Sequence, residues 1–213
     1  MSDSSNVLDA KHIHSYLHDS LKDKLSCNIY IYDCLESTNL TAKKMALSGA
    51  THGTVIIADR QTAGRGQHGK SFHSPQGHGI YISFILDVNQ LKLTSHNTIT
   101  TAAAVSVCEA IESVCGKSPK VKKVNDIFLD DRKVCGILTE SVIGAQSHEI
   151  KHLILGIGIN FTTPPEAFPK DLQNIAGAIF PDCSPPITRN HLTAEIINRI
   201  LSVEASGKTF LVF

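Results

Sequence analysis

No charge of either sign is in excess, with 20 Lys and Arg against 20 Asp and Glu. The chain therefore has no overall field to draw it onto nucleic acid or an anionic membrane, and any anion site must be local. No C-x-x-C pair occurs, and the six cysteines, at 27, 34, 108, 115, 135 and 183, follow no regular framework. They sit in stretches such as KVCGIL that read as buried strand or helix, which suits reduced thiols of a cytoplasmic protein and argues against a disulfide scaffold. The polar start, MSDSSNVLDAKHIHSYLHDS, lacks the apolar core of a signal peptide, and no run of about 18 apolar residues is evident along the sequence. There are 11 histidines but neither an HExxH motif nor a Cys/His cluster with zinc spacing, so solvated or locally hydrogen-bonded histidines are expected and no metal ligands are assigned. No internal repeat and no low-complexity linker breaks the chain, and a single domain over residues 1–213, with its core over about 28–205, is the simplest account.

What is present is enough to bury a core, since 42% of the 213 residues are hydrophobic and 19% charged. Residues 8–25 carry Leu17, Leu21 and Leu25 one turn apart, which predicts a helix. NIYIYDCL reads as a strand, and ESTNLTAKKMALSG as a helix capped at Ser37, Thr38 or Asn39 and stopped by Gly49. TVIIAD and GIYISFIL are buried strands, and the alanine-rich stretch from Asn97 to about Cys115 is a buried helix. KVKKVNDIFLDDRKVCGILTESVI predicts strand, hairpin and strand with Asp130 and Asp131 in the turn. EIKHLILGIGINF is a further strand, HLTAEIINRILSVEAS a closing helix, and the segment 162–190, with six prolines, is expected to cross the surface. Strands arriving in pairs and runs favour an α+β fold, a mixed sheet with helices packed on a face.

Two motifs carry chemistry. GRGQHGK, between two strands, allows close backbone approach at Gly64, Gly66 and Gly69, while Arg65 and Lys70 supply charged donors to a carboxylate or phosphate. It is not a Walker A loop, because the glycine spacing is wrong and a strand follows the lysine. Alone, it could also be a surface excursion with solvated charges. KKVND at 122–126 alone reads as strand-edge charge and turn chemistry.

Taken together and in order, ESTN, RQTAGRGQHGKSFHSPQGHGIYISFIL, VKKVNDIFLDDRKVCGILTES and LILGIGINF resemble the catalytic domain of biotin-protein ligases, also called biotin-[acetyl-CoA-carboxylase] ligases. The resemblance implies a fold of the class II aminoacyl-tRNA synthetase and biotin ligase type and a two-step reaction. Biotin attacks the α-phosphate of ATP to give biotinyl-5'-AMP, and a lysine of a biotin carboxyl carrier domain of a carboxylase then takes the biotinyl group. It implies Lys122 and Arg65 as catalytic residues, holding the attacking and bridging oxygens. It implies a biotin site of Ser37, Thr38, Asn39, Gln61, Gly64, Arg65, Gly66, Gln67, Lys122, Gly136, Gly156 and Gly158. Arg65, Gln67, Lys70, Asn125, Asp126 and Asn160 are implied for ATP and the adenylate, with Mg2+ entering as the ATP complex. The loop is expected to take its shape over the adenylate and shield it from water.

The sequence departs from the family pattern in three places. Gln67 stands for the second arginine of G-R-G-R-x-G-R and Lys70 for the third, which implies a weaker grip on the adenylate. Lys123 takes the place of the family's tryptophan, a residue type the chain lacks. The chain shows neither the small C-terminal barrel nor the N-terminal helix-turn-helix of longer members, so DNA binding is not expected. Some members dimerise through sheet edges or near the loop, and a homodimer is one expectation. Two rival readings stand beside a ligase: a binder of biotin or biotinyl-AMP that transfers poorly, and a ligase of the lipoate type.

Overall fold

The computed structural model describes residues 7–25, 28–91, 96–122, 125–144 and 149–206. Seven strands form one sheet in the order β1-β2-β3-β7-β6-β5-β4. They are β1 (Ile29–Tyr32), β2 (Thr54–Ala58), β3 (Gly79–Asp87), β4 (Lys120–Lys122), β5 (Asp126–Leu129), β6 (Arg132–Ile143) and β7 (Ile150–Asn160). Only β1 and β2 pair in parallel; every other neighbouring pair is antiparallel. The β5–β6 hairpin turns on Asp130 and Asp131, at φ 48° and 60°. Two consecutive positive φ values match the twist of a tight hairpin, and aspartate tolerates them better than most residues do.

Side-chain alternation divides the sheet into two faces. Val55, Ile57, Ile80, Ile82, Phe84, Leu155 and Ile157 join the main core with α4 (His96–Cys115) and α5 (Arg189–Ser206). Ile56, Ile85, Val142 and Ile154 point the other way and pack under Ala42 and Ala46 of α3 (Thr38–Leu47). β2 and most of β3 are buried on both faces, which explains their unbroken apolar runs. α4 itself is apolar enough over Thr98–Cys115, at mean hydropathy 1.3, to match a membrane span by length and composition. Here Ala103, Ala104, Val107, Ala110 and Ile111 lie within the main core.

The helix predicted over 8–25 is in fact two, α1 (Ala10–Ser15) and α2 (Asp19–Leu25). Asn198 of α5 explains the break. Its Nδ2 donates to the Tyr16 carbonyl at 3.1 Å, and its Oδ1 accepts from the His18 amide at 2.8 Å. One side chain thus satisfies both backbone groups that a continuous helix would have paired. Ile13, Leu17, Leu21 and Leu25 still reach the main core, so the hydrophobic core begins upstream of residue 28. The proline-rich 162–190 segment also does more than cross the surface, since Phe168, Ala178, Ile179 and Phe180 are buried.

Candidate active site

α3 covers only part of its face of the sheet, and a cleft of about 460 Å3 occupies the rest. That volume lies in the range of small-molecule sites. Its floor is the paired stretch of β6 and β7, where Gly136 lies opposite Gly158 and Leu138 opposite Gly156. Glycine is needed here because other groups of the chain fill the space. A Cβ on Gly158 would sit 2.7 Å from Cε1 of Phe72, and one on Gly156 would sit 2.1 Å from Oδ1 of Asn39.

The closed end of the cleft is polar. Ser37 stands at the N-cap of α3 in extended conformation but makes no cap bond. Gln61 takes over that task, its Oε1 accepting from the Thr38 amide at 2.8 Å and lying 3.1 Å from the Thr38 hydroxyl. Gln61 Nε2 donates to Ser74 Oγ at 2.9 Å, and Ser74 donates to the Phe72 carbonyl at 3.0 Å. Asn39 Nδ2 donates to Glu140 Oε2 at 2.8 Å. Glu140 Oε1 accepts from Lys43 Nζ at 2.7 Å and lies 3.6 Å from Arg65 Nη2. Burial alone would raise the Glu140 carboxyl, but the bonds from Lys43 and Asn39 and the charges of Lys43 and Arg65 leave it below its ordinary value.

The glycine–arginine loop is a small hairpin closed by its own backbone. Phe72 N donates to Gly64 O at 2.9 Å and Gly66 N to Lys70 O at 2.7 Å, around a 3-10 turn over Gln67–Gly69. These bonds hold the two arms of the loop together. Arg65, Gly66, Gln67, His68 and Lys70 all border the cleft.

Facing the loop is Lys133 at the start of β6. Register between β5 and β6 shifts between Ile127 and Phe128, which pair with Cys135 and Lys133. Val134 is the extra residue, and both it and Cys135 turn into the core. The bulge brings Lys133 onto the same face as Gly136, where a Cβ would lie 3.4 Å from Lys133 Nζ. The backbone of Lys133 is clamped from the other side as well, its N donating to Ile175 O at 2.8 Å and its O accepting from Gly177 N at 2.9 Å. Nζ pairs with Asp126 at 2.6 Å. Asn160 Nδ2 donates to Gly177 O at 2.9 Å, and Phe168, Leu172, Ile175 and Ala176 complete the wall.

Of the residues predicted from sequence, Ser37, Thr38, Asn39, Gln61, Arg65, Gly66, Gln67, Lys70, Asn125, Asp126, Gly136, Gly156, Gly158 and Asn160 border this one cleft. Two do not. Lys122 is half exposed on β4, paired with Asp131 at 2.5 Å and placed 4.9 Å over the Phe128 ring; Phe128 borders the cleft and Lys122 does not. Gly64 lies beneath the loop, where a Cβ would meet the Phe72 carbonyl at 2.4 Å; it shapes the hairpin and does not border the cleft. Lys123 lies outside the described residues. Sequence reasoning missed Lys133, Phe72, His73 and the wall from 168 to 176, all at the cleft. The alternation of β6 would have pointed to Lys133 only if the bulge at Val134 were known.

The model of the biotin/lipoate A/B protein ligase family matches residues 31–160, more than half of the chain. The chain belongs to that family. It is 36% identical over 174 residues to the bifunctional ligase/repressor BirA of Bacillus subtilis, covering 82% of this chain and 51% of the relative. It is 29% identical over 170 residues to the biotin–[acetyl-CoA-carboxylase] ligase of Mycobacterium tuberculosis, covering 77% of this chain and 59% of that one. The chain thus spans about half the length of the curated relatives it matches. Among solved structures, the biotin protein ligase of Aquifex aeolicus in complex with biotin and ATP superposes with a TM-score of 0.72 at 25% identity, over 85% of this chain and 72% of that one. The biotin protein ligase of Leishmania major in complex with biotinyl-5-AMP, at TM-score 0.69 and 22% identity over 84% and 76%, shares the fold. The mixed sheet with helices is therefore the fold of biotin protein ligases within this family, of the class II aminoacyl-tRNA synthetase type expected from the sequence.

Proposed function

We propose that the chain carries the catalytic unit of a biotin–[acetyl-CoA-carboxylase] ligase, which activates biotin as biotinyl-5'-AMP and transfers it to a lysine of a biotin carboxyl carrier domain. The observation that carries this reading is the polar closed end joined to a cationic mouth. Ser37, Thr38, Asn39 and Gln61 suit a urea ring, which must pair a carbonyl and two N–H groups when buried. A dithiolane ring offers no hydrogen-bonding groups, so lipoate would leave these groups unmatched. From this closed end the cleft leads toward Lys133, Arg65 and Lys70, which suits an aliphatic chain ending in a carboxylate.

A carboxylate and a triphosphate repel each other, and bringing them together needs fixed positive donors on both. Lys133 supplies one from the sheet, and Arg65 and Lys70 supply others from the loop. The catalytic role that the resemblance gave to Lys122 falls to Lys133, because only Lys133 faces the cleft. Displacing its Asp126 partner frees Nζ for the oxygens of the substrate. Magnesium would supply charge neutralisation on the phosphates, with Asp126 and Asn125 the side chains that fit it. No three His, Cys, Asp or Glu side chains converge among the described residues, so most ligands would come from phosphate and water. The aromatic face of Phe72, lying across Gly136 and Gly158, and the wall from Phe168 to Ala176 suit the apolar parts of the nucleotide and chain.

The test is biotin-dependent exchange of labelled pyrophosphate into ATP with magnesium, run beside lipoate. Exchange with biotin alone supports the reading. Biotin binding without exchange would leave a binder, and exchange with lipoate would move the chain to the other branch of the family.

A further inference from the structure

Glu140 does not border the cleft, yet it governs the hydrogen-bonding pattern of the closed end. Only 15% of its side chain is exposed, and its two oxygens have separate tasks. Oε1 takes the charge of Lys43, which would suffice for a simple buried ion pair, while Oε2 turns inward to Asn39 Nδ2. A carboxylate can only accept, so it fixes which way round the Asn39 amide stands. The second hydrogen of Nδ2 goes toward the Leu138 carbonyl at 3.4 Å. Oδ1 must then face Ser83, whose hydroxyl lies 2.6 Å from it. Ser83 has one hydrogen and gives it to Oδ1, which cannot donate. Thr38 Oγ1, 2.8 Å from Ser83 and 3.1 Å from Gln61 Oε1, then has its one hydrogen for either of these acceptors. From Lys43 through Glu140 and Asn39 to Ser83, each link has its donor and acceptor fixed by the one before, while Gln61 is oriented separately by the Thr38 amide.

We propose that Glu140 is a positioning and specificity-determining residue: by locking Asn39 with its nitrogen engaged and its oxygen, which keeps a second lone pair beside the Ser83 bond, as the acceptor, it makes the closed end accept a hydrogen bond from a ring N–H group. This rests on the reading of the cleft as a biotin site. The ligand class so selected is a cyclic urea, and the class rejected is the near-isosteric cyclic carbamate, in which a ring oxygen replaces one N–H. With no carboxylate to hold it, the Asn39 amide can turn over and donate to that oxygen.

The experiment is calorimetric binding of biotin and of its two carbamate analogues to the wild-type chain and to Glu140→Gln, with a thermal melt of each. A glutamine in this place can itself offer either an oxygen or an amide nitrogen. The wild type is expected to prefer biotin, and E140Q to narrow that preference by about tenfold or more. Lys43→Met, which leaves the Asn39 contact in place, is expected to keep the preference within about threefold. If E140Q does not fold, Glu140→Asp, too short to reach Asn39, carries the same comparison. A merely structural role for Glu140 would weaken all ligands alike and leave the preference unmoved, which overturns the inference alone. Failure of the wild type to bind biotin overturns the functional reading and takes this inference with it.

Discussion

Lys133 and Lys122 are the same residue type on one hairpin sheet, and their surroundings give them opposite fates. Lys133 pairs with Asp126 where both border the cleft, whereas Lys122 pairs with Asp131, whose side chain is 91% exposed. The Asp131 carboxyl is held below its ordinary value by the hydrogen bond and charge of Lys122, yet a surface pair of this kind carries little free energy. Lys133→Ala is therefore expected to slow pyrophosphate exchange by about 100-fold or more, and Lys122→Ala to change it by less than about threefold. Steady-state exchange rates of the two variants check this, and equal losses would return the role to Lys122. The sequence could show both lysines but not the bulge at Val134 that turns one of them inward. The side chains of α3 and the two β7 glycines were legible because helix starts and strand alternation set their direction. What Gly156 and Gly158 make room for was not, since Asn39 and Phe72 arrive from distant parts of the chain.

At the scale of elements, local pattern predicted well wherever a segment's own residues decide its form. The Asp130–Asp131 turn, the apolar β2, β3 and β7, and the long α4 and α5 all follow this rule. Prediction failed where a distant side chain decides, as at the junction of α1 and α2. Asn198 is 1% exposed and bridges that junction from α5. Asn198→Ala leaves the Tyr16 carbonyl and His18 amide without their partner, at a cost of about 1–3 kcal/mol. The denaturant midpoint is expected to fall accordingly, with faster amide exchange concentrated in residues 10–25. An unchanged midpoint would mean that α1 and α2 are held by Ile13, Leu17 and Leu21 alone. The wall from Phe168 to Ala176 was missed for a similar reason. Prolines signal irregular backbone, and only its pairing with β6 at Lys133 shows that this segment belongs to the site.

Across the whole molecule, the described cysteines report on burial. Burial lifts the thiols of Cys108 and Cys115 to about 12, with smaller contributions from neighbouring charges, and also raises that of Cys135 well above its ordinary value. Cys34 and Cys183 are exposed. Iodoacetamide at about pH 8 is expected to label Cys34 and Cys183 in the folded protein and to reach the other three only on unfolding. Peptide mapping checks this, and fast labelling of Cys108 would mean that α4 opens locally. The order of the sheet has a further consequence, for synthesis. β3 lies between β2 and β7, and its pairing with β7 joins Gly79 to Asn160 and Asp87 to His152. A chain emerging from the ribosome therefore makes β3, almost entirely apolar, long before its second partner exists. Until β7 is released, the floor of the cleft is missing and β3 presents an open edge to other nascent chains. Solubility during translation and the appearance of a working site are thus tied to the same late event, the arrival of one glycine-bearing strand.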